Sequence, residues 1–150
     1  MRIESPRFGV IDADASQMIH FGHPLPGFPD CRSFVLIDHD EATPLKWMVS
    51  VEQPEISFLL VDSDEIEPSY DVELPDWLLS MLEWKSTDDP HAIGFYTILS
   101  AEGDQLFANP LAPIVVNREN RLAVQLIRDE PDLPSRHPVT PVSSQDRDLL

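Results

Sequence analysis

Short apolar runs separated by prolines set the pattern of this chain. Ser33 to Asp38, Ile56 to Asp62, Ala92 to Ser100, Ile114 to Asn117 and Leu122 to Arg128 are each rich in Val, Ile, Leu and Phe. Runs of about four to eight apolar residues between turn signals read as strands. In Phe34-Val35-Leu36-Ile37 the apolar positions are continuous rather than alternating, which predicts strands covered on both faces. The expected fold class is mainly β: a compact closed or sandwich-like antiparallel β barrel that hides those faces by closure or sheet packing.

One segment reads differently. From Leu74 to Trp84 the apolar positions 74, 77, 78, 81, 82 and 84 follow helical spacing, and Pro75-Asp76 supplies a helix start. A single short helix is predicted over about 75–84, lying on the sheet with its aromatic and Met residues in the core. After Arg128 the chain becomes proline-rich and acidic with scattered aliphatics. The expected organisation is one β domain over 1–138. A C-terminal extension over 139–150 is expected to have too little apolar surface to offset ordering entropy.

Composition narrows the function. The length of 150 residues is ordinary for one domain and allows a real core without disulfides or metal. The 27 acidic residues against 10 basic ones give a net charge of −17, which repels RNA, DNA and anionic lipid and draws in basic partners. Direct nucleic-acid binding is therefore not expected. Cys31 stands alone and reads as a small apolar filler, consistent with a reducing cytoplasm. No early apolar run predicts a signal peptide, and no stretch approaches the roughly 20 apolar residues of a membrane helix.

Candidate chemistry is sparse. His20 and His23 have a helical metal spacing, but Pro24 and Pro26 forbid the helix, and loop or strand-end histidines are the better reading. Asp62 to Glu67 has the acidic density of a calcium loop. Counted from Asp62, the sixth position is Glu67 where glycine is needed, although Glu73 suits the twelfth. There is no Gly-x-Ser-x-Gly elbow or Walker loop, and Lys46 and Lys85 are the only lysines. Nothing here argues for an enzyme.

Two segments carry the most information: Lys46 to Glu55, and Asn109 to Asn117. Each joins an apolar β-prone stretch to proline and to polar residues that a strand end can hold. Asn109 and Asn117 can pin turns, and Glu52 can cap a strand or pair with a base such as Lys46 or Arg118. A binding role stands level with these structural ones.

These segments are similar to signature stretches of the flagellar assembly factor FliW family, and the likeness extends along the chain. Arg7-Phe8-Gly9 with Ile11 resembles the family's opening strand, and Leu25-Pro26-Gly27-Phe28 its Ile-Pro-Gly-Phe loop. Phe34-Val35-Leu36, Pro44 to Trp47, Ser50-Val51-Glu52 and Pro54-Glu55 follow. Then come Leu111 to Asn117, Arg121, Gln125 and Arg136-His137-Pro138. The departures are Pro24 and Ala123 where glycine is usual, and Leu133 where an aromatic is usual. The resemblance implies a β-rich, non-enzymatic cytoplasmic protein without cofactor or metal. Its implied partners are flagellin and the translational regulator CsrA, and binding to one releases the other. It implies inhibition of CsrA away from the bound message, whereas the charge alone would suggest RNA mimicry. The partner-binding surface is expected among Trp47, Glu52, Asp62 and Asn117. The alternatives are a flagellin-specific chaperone that does not bind CsrA, and a metal-dependent hydrolase built on His20, His23 and the Asp62 region.

Overall fold

In the computed structural model, the described residues are 2–39, 45–62, 74–85, 92–102, 105–109, 111–128 and 137–139. They form eleven strands and one α-helix. In chain order the strands are β1 (Arg2–Ser5), β2 (Gly9–Asp12), β3 (Met18–Phe21), β4 (Ser33–Asp38), β5 (Leu45–Ser50) and β6 (Ser57–Asp62). After helix α1 (Asp76–Met81) come β7 (Ile93–Glu102), β8 (Gln105–Ala108), β9 (Ile114–Asn117), β10 (Leu122–Gln125) and β11 (His137–Val139).

Seven strands close on themselves. The order β7-β6-β5-β4-β3-β10-β9 returns to β7, because β9 also pairs with β7. The long strand β7 makes this possible by dividing one of its edges. Ile93 to Tyr96 pair with β9 and shut the barrel, while Leu99 to Glu102 pair with β8 and carry β8 and β11 away from it. Every ladder is antiparallel except β3–β10, where Leu122 and Ala123 run alongside His20 and Phe21.

The continuous apolar runs are explained by burial on both faces. Phe34, Met48, Leu60, Tyr96, Ile114, Val116 and Ala123 belong to the cluster inside the barrel. Their neighbours Val35, Trp47, Val49, Leu59 and Val61 point outward and are buried with Ile3 and Ile11 of the β1–β2 hairpin and Leu106 and Ala108 of β8. A third cluster lies where Leu78 and Leu82 cover Val115 and Val124 on the outside of β9 and β10. Each fully buried side chain of this size is worth about 1.5–3 kcal/mol, so a barrel this small depends on its outer layer as well as its interior.

The helix is shorter than the periodicity predicts. Pro75 occupies the N-cap and Asp76 opens the helix, but regular structure ends at Met81. Glu83 adopts φ +53°, Glu83 N–H donates to the Ser80 carbonyl and Trp84 N–H to the Leu79 carbonyl. This is the Schellman stop, which ordinarily uses glycine. Trp77 was expected in the core and is instead 52% exposed, because Leu78 and Leu82 take the buried stripe. Met81 and Trp84 do pack against the third cluster. Strand β11 ends at Val139. Most of the acidic segment beyond Asp62 and the C-terminal extension lie outside the described residues.

Candidate partner-binding surface

The β5–β6 connection, residues 51–56, is built from its own hydrogen bonds. Ser50, wholly buried, donates its N–H to the Ile56 carbonyl, and its Oγ accepts from Gln53 N–H at 3.0 Å. Ile56 N–H returns to the Gln53 carbonyl at 2.8 Å, with Pro54 between them. This turn fixes Glu52 facing the start of β4. Its carboxylate accepts from Ser33 N–H at 3.0 Å and from Arg32 N–H at 3.3 Å. Glu52 is exposed, so it satisfies two strand-end donors and still presents charge to solvent.

The same strand end continues sideways. His20 Nδ1 lies 3.0 Å from Ser33 Oγ, and His20 N–H donates to the Arg121 carbonyl at 2.9 Å. Arg121 N–H donates to the Asn117 carbonyl at 2.8 Å, and its Nε reaches the Met18 carbonyl at 2.8 Å. Burial pulls the Arg121 pKa below its ordinary value, with Arg118 as a lesser cause. Arg121 holds φ +67° where the β9–β10 turn re-enters a strand. A hydrogen-bonded rim thus runs from Glu52 through Ser33, His20 and Arg121 to Asn117.

The four expected residues do not form one patch. Asn117 is 2% exposed: its Nδ2 donates to the Leu82 carbonyl at 3.0 Å and its Oδ1 accepts from Glu119 N–H. It secures the end of α1 and the turn after β9. Asn109 is likewise a turn residue, its Oδ1 accepting from Leu111 N–H at 3.1 Å. Trp47 is 6% exposed on the outer face of β5, with Nε1–H donating to His39 Nδ1 at 3.3 Å. Asp62 ends β6 opposite Tyr96. The length of β6 separates it from Glu52 by on the order of 20 Å. Glu52 does not pair with Lys46, because Lys46 faces its cross-strand neighbour Asp38 at 2.6 Å. Glu52 is a strand-end acceptor.

His20 sits in β3, and His23 in the bend that follows. Among the described residues no group of three His, Cys, Asp or Glu is placed to hold a metal ion, and no helix is long and apolar enough to cross a membrane. Leu25 to Phe28 forms a turn closed by Phe28 N–H to the Leu25 carbonyl, with Gly27 at φ +87°, the Pro-Gly pattern of a type II turn. The sequence reasoning missed Ser33, His20 and Arg121 as members of the rim. Nothing local marks them, since they meet only through the parallel β3–β10 pairing and the β3–β4 register.

The comparisons with known proteins agree along the chain. A family model described as FliW protein matches residues 2–139. The flagellar assembly factor FliW of Desulfitobacterium hafniense (strain Y51) is 37% identical over 137 residues, which cover 91% of this chain and 90% of the relative. That of Caldanaerobacter subterraneus subsp. tengcongensis is 30% identical over 141 residues, covering 93% of each. A crystal structure of the flagellar assembly factor FliW superimposes with a TM-score of 0.81 at 29% identity, covering 94% of this chain and 98% of that one.

Proposed function

The chain belongs to the FliW family, and from that premise we propose that it is a non-enzymatic flagellar assembly factor that binds flagellin and the translational regulator CsrA. In this reading the two partners compete for the chain, so that free flagellin releases the chain from CsrA and the flagellin level is reported to translation. One observation carries the reading: the likeness to relatives named flagellar assembly factor FliW spans nearly the whole chain and nearly the whole of each relative. The net charge of −17 supports it, since an acidic surface suits a basic RNA-binding partner and accelerates encounter more than it deepens affinity. We place the CsrA-facing contacts on Glu52 and Asp62, with Trp47 and Asn117 acting from beneath as supports for the surface. The site of action is the cytoplasm.

Calorimetric titration of the purified chain with CsrA, repeated with flagellin present, tests this. Saturable binding that flagellin abolishes is the expected result. Binding to flagellin without heat from CsrA would leave a flagellin chaperone and remove the translational half. Binding to neither would overturn the proposal.

A further inference from the structure

Strand β1 pairs with β2 and, among the described residues, with no other strand. The hairpin forms a two-stranded sheet of its own and is held on the barrel by side chains, with Ile3 and Ile11 buried beside Trp47 and Val49. In an antiparallel pair every second residue turns its N–H and C=O away from the partner strand. Two of the four residues Arg2–Ser5 therefore present both backbone groups along the far edge of β1.

A cleft of about 370 Å³ follows that edge. Arg2, Ile3 and Glu4 line it, and because their side chains alternate between faces, only the backbone edge is common to all three. No β2 residue lines the cleft, and its opposite wall is Val51 and Pro54 of the β5–β6 connection. At about 3.3 Å per residue the edge is about 13 Å long, enough for a strand of three or four residues.

Open strand edges are ordinarily blunted, because other chains can pair with them. Strand β1 has no proline, and its protection is its short length and the exposed charges of Arg2 and Glu4. Such charges exclude a strand of like sign at each position and admit a complementary one. Glu4 lies on the cleft, and Glu52 and Glu55 are exposed on the connection that forms its other wall. The segments bordering the cleft thus carry three carboxylates against the one guanidinium of Arg2. That balance selects a cationic segment, with an uncharged residue two positions from the cation to suit Arg2.

We propose that the free edge of β1 accepts an extended segment of a basic partner as a third strand of the β1–β2 sheet. Backbone pairing supplies the affinity, and a lysine or arginine set opposite Glu4 supplies the selection. The inference rests on the proposed function for the basic character of the partner and adds a docking mode to it.

The test is an NMR titration of the full chain with the pentapeptide N-acetyl-threonyl-valyl-lysyl-valyl-threonine amide. Saturable shifts are expected at Arg2–Ser5, Val51 and Glu55, with slowed exchange at the two outward N–H groups of β1. An added strand pairs through one of its own edges. N-methylation of the probe at both valines, or instead at the lysine and threonines, should therefore differ: one pattern weakens binding about tenfold or more, the other little. Replacing the probe's lysine by glutamine, or Glu4→Gln in the protein, should weaken binding about threefold, as loss of an exposed ion pair does. Equal losses for the two N-methyl patterns, undiminished binding of the glutamine probe, or shifts spread over the acidic surface would each overturn the proposal. Calorimetric binding of CsrA with no response of β1 to the peptide would sink this inference and leave the proposed function standing. A β1 response without heat from CsrA would do the reverse.

Discussion

Asn117 Nδ2 donates to the Leu82 carbonyl at 3.0 Å, joining the last residue of β9 to the end of α1. Asn120 Nδ2 reaches the same oxygen at 2.9 Å, so one free helix carbonyl receives two amide donors from the barrel. Asn117→Asp removes a donor and places a carboxylate oxygen against that carbonyl at a site 2% exposed. A loss of about 2–3 kcal/mol in urea unfolding is expected, because a buried unmatched polar pair costs its desolvation. Asn120→Ala is expected to cost about 1 kcal/mol, since Asn120 is exposed and Asn117 remains. Partner affinity measured on the folded fraction should stay near wild type for both. A specific loss of affinity would move Asn117 from support to contact.

Glu52 combines a structural bond with an exposed charge, and substitutions can separate the two. Glu52→Gln keeps an acceptor for Ser33 and Arg32 N–H while removing the charge, whereas Glu52→Ala removes both. On the proposed function, Glu52→Gln should weaken the complex with a basic partner at nearly unchanged stability. Glu52→Ala should also lower stability by about 1 kcal/mol through the lost strand-end bonds. Glu119→Arg, an exposed change in the β9–β10 turn, should mainly slow association. Surface plasmon resonance across a salt series reads both rates. Equal losses for Glu52→Gln and Glu119→Arg would mean diffuse charge rather than a site.

Glu83 holds φ +53° at the end of α1, where a side chain is strained and a negative charge meets the negative end of the helix. Glu83→Gly should therefore stabilise the fold by about 1 kcal/mol. Arg121, at φ +67°, invites the same substitution with the opposite outcome. Its Nε bond to the Met18 carbonyl ties β3 to the β9–β10 turn, and glycine cannot replace it. Arg121→Gly should lower stability, and Arg121→Ala should lower it by about 1 kcal/mol more because alanine keeps the backbone strain. Urea midpoints for the three variants check the ordering.

The strands most legible in the sequence were those buried on both faces. Ser33–Asp38 and Ile114–Asn117 match the observed boundaries because their apolar runs are dense and end at polar or turn residues. Strands β1 and β11 carry too few apolar positions to stand out, β8 is apolar but only four residues long, and all three are held by pairing with neighbouring strands. The division of the β7 edge between β8 and β9 is equally invisible locally, since Ile93 to Glu102 reads as one uniform strand. The helix stop was hidden because Glu83 does the work of a glycine. At the candidate surface, Glu52 and the asparagines announced polar roles at strand ends. Which of them would be exposed depended on contacts across 35 residues, as between Asn117 and Leu82.

Asp14 offers a pH-dependent check on the short 3-10 turn at Ala15–Gln17. Its carboxylate accepts from the Ser16 hydroxyl and from Ser16 N–H, while Gln17 Oε1 accepts from Asp14 N–H to complete a capping box. The Ser16 hydroxyl, then the Ser16 amide, hold the Asp14 pKa below its ordinary 3.8. A carboxylate depressed in the folded state stabilises it fully above the unfolded pKa, and that contribution fades as pH falls through the lower folded value. Asp14→Asn retains an acceptor that does not titrate in this range. Between about pH 6 and about pH 2, the difference in stability between wild type and Asp14→Asn should stay level and then shift against wild type only below about pH 4. Carbon-detected NMR titration of the Asp14 carboxyl should give a midpoint under 3.8. A midpoint at or above that value would show that the capping box does not persist in solution.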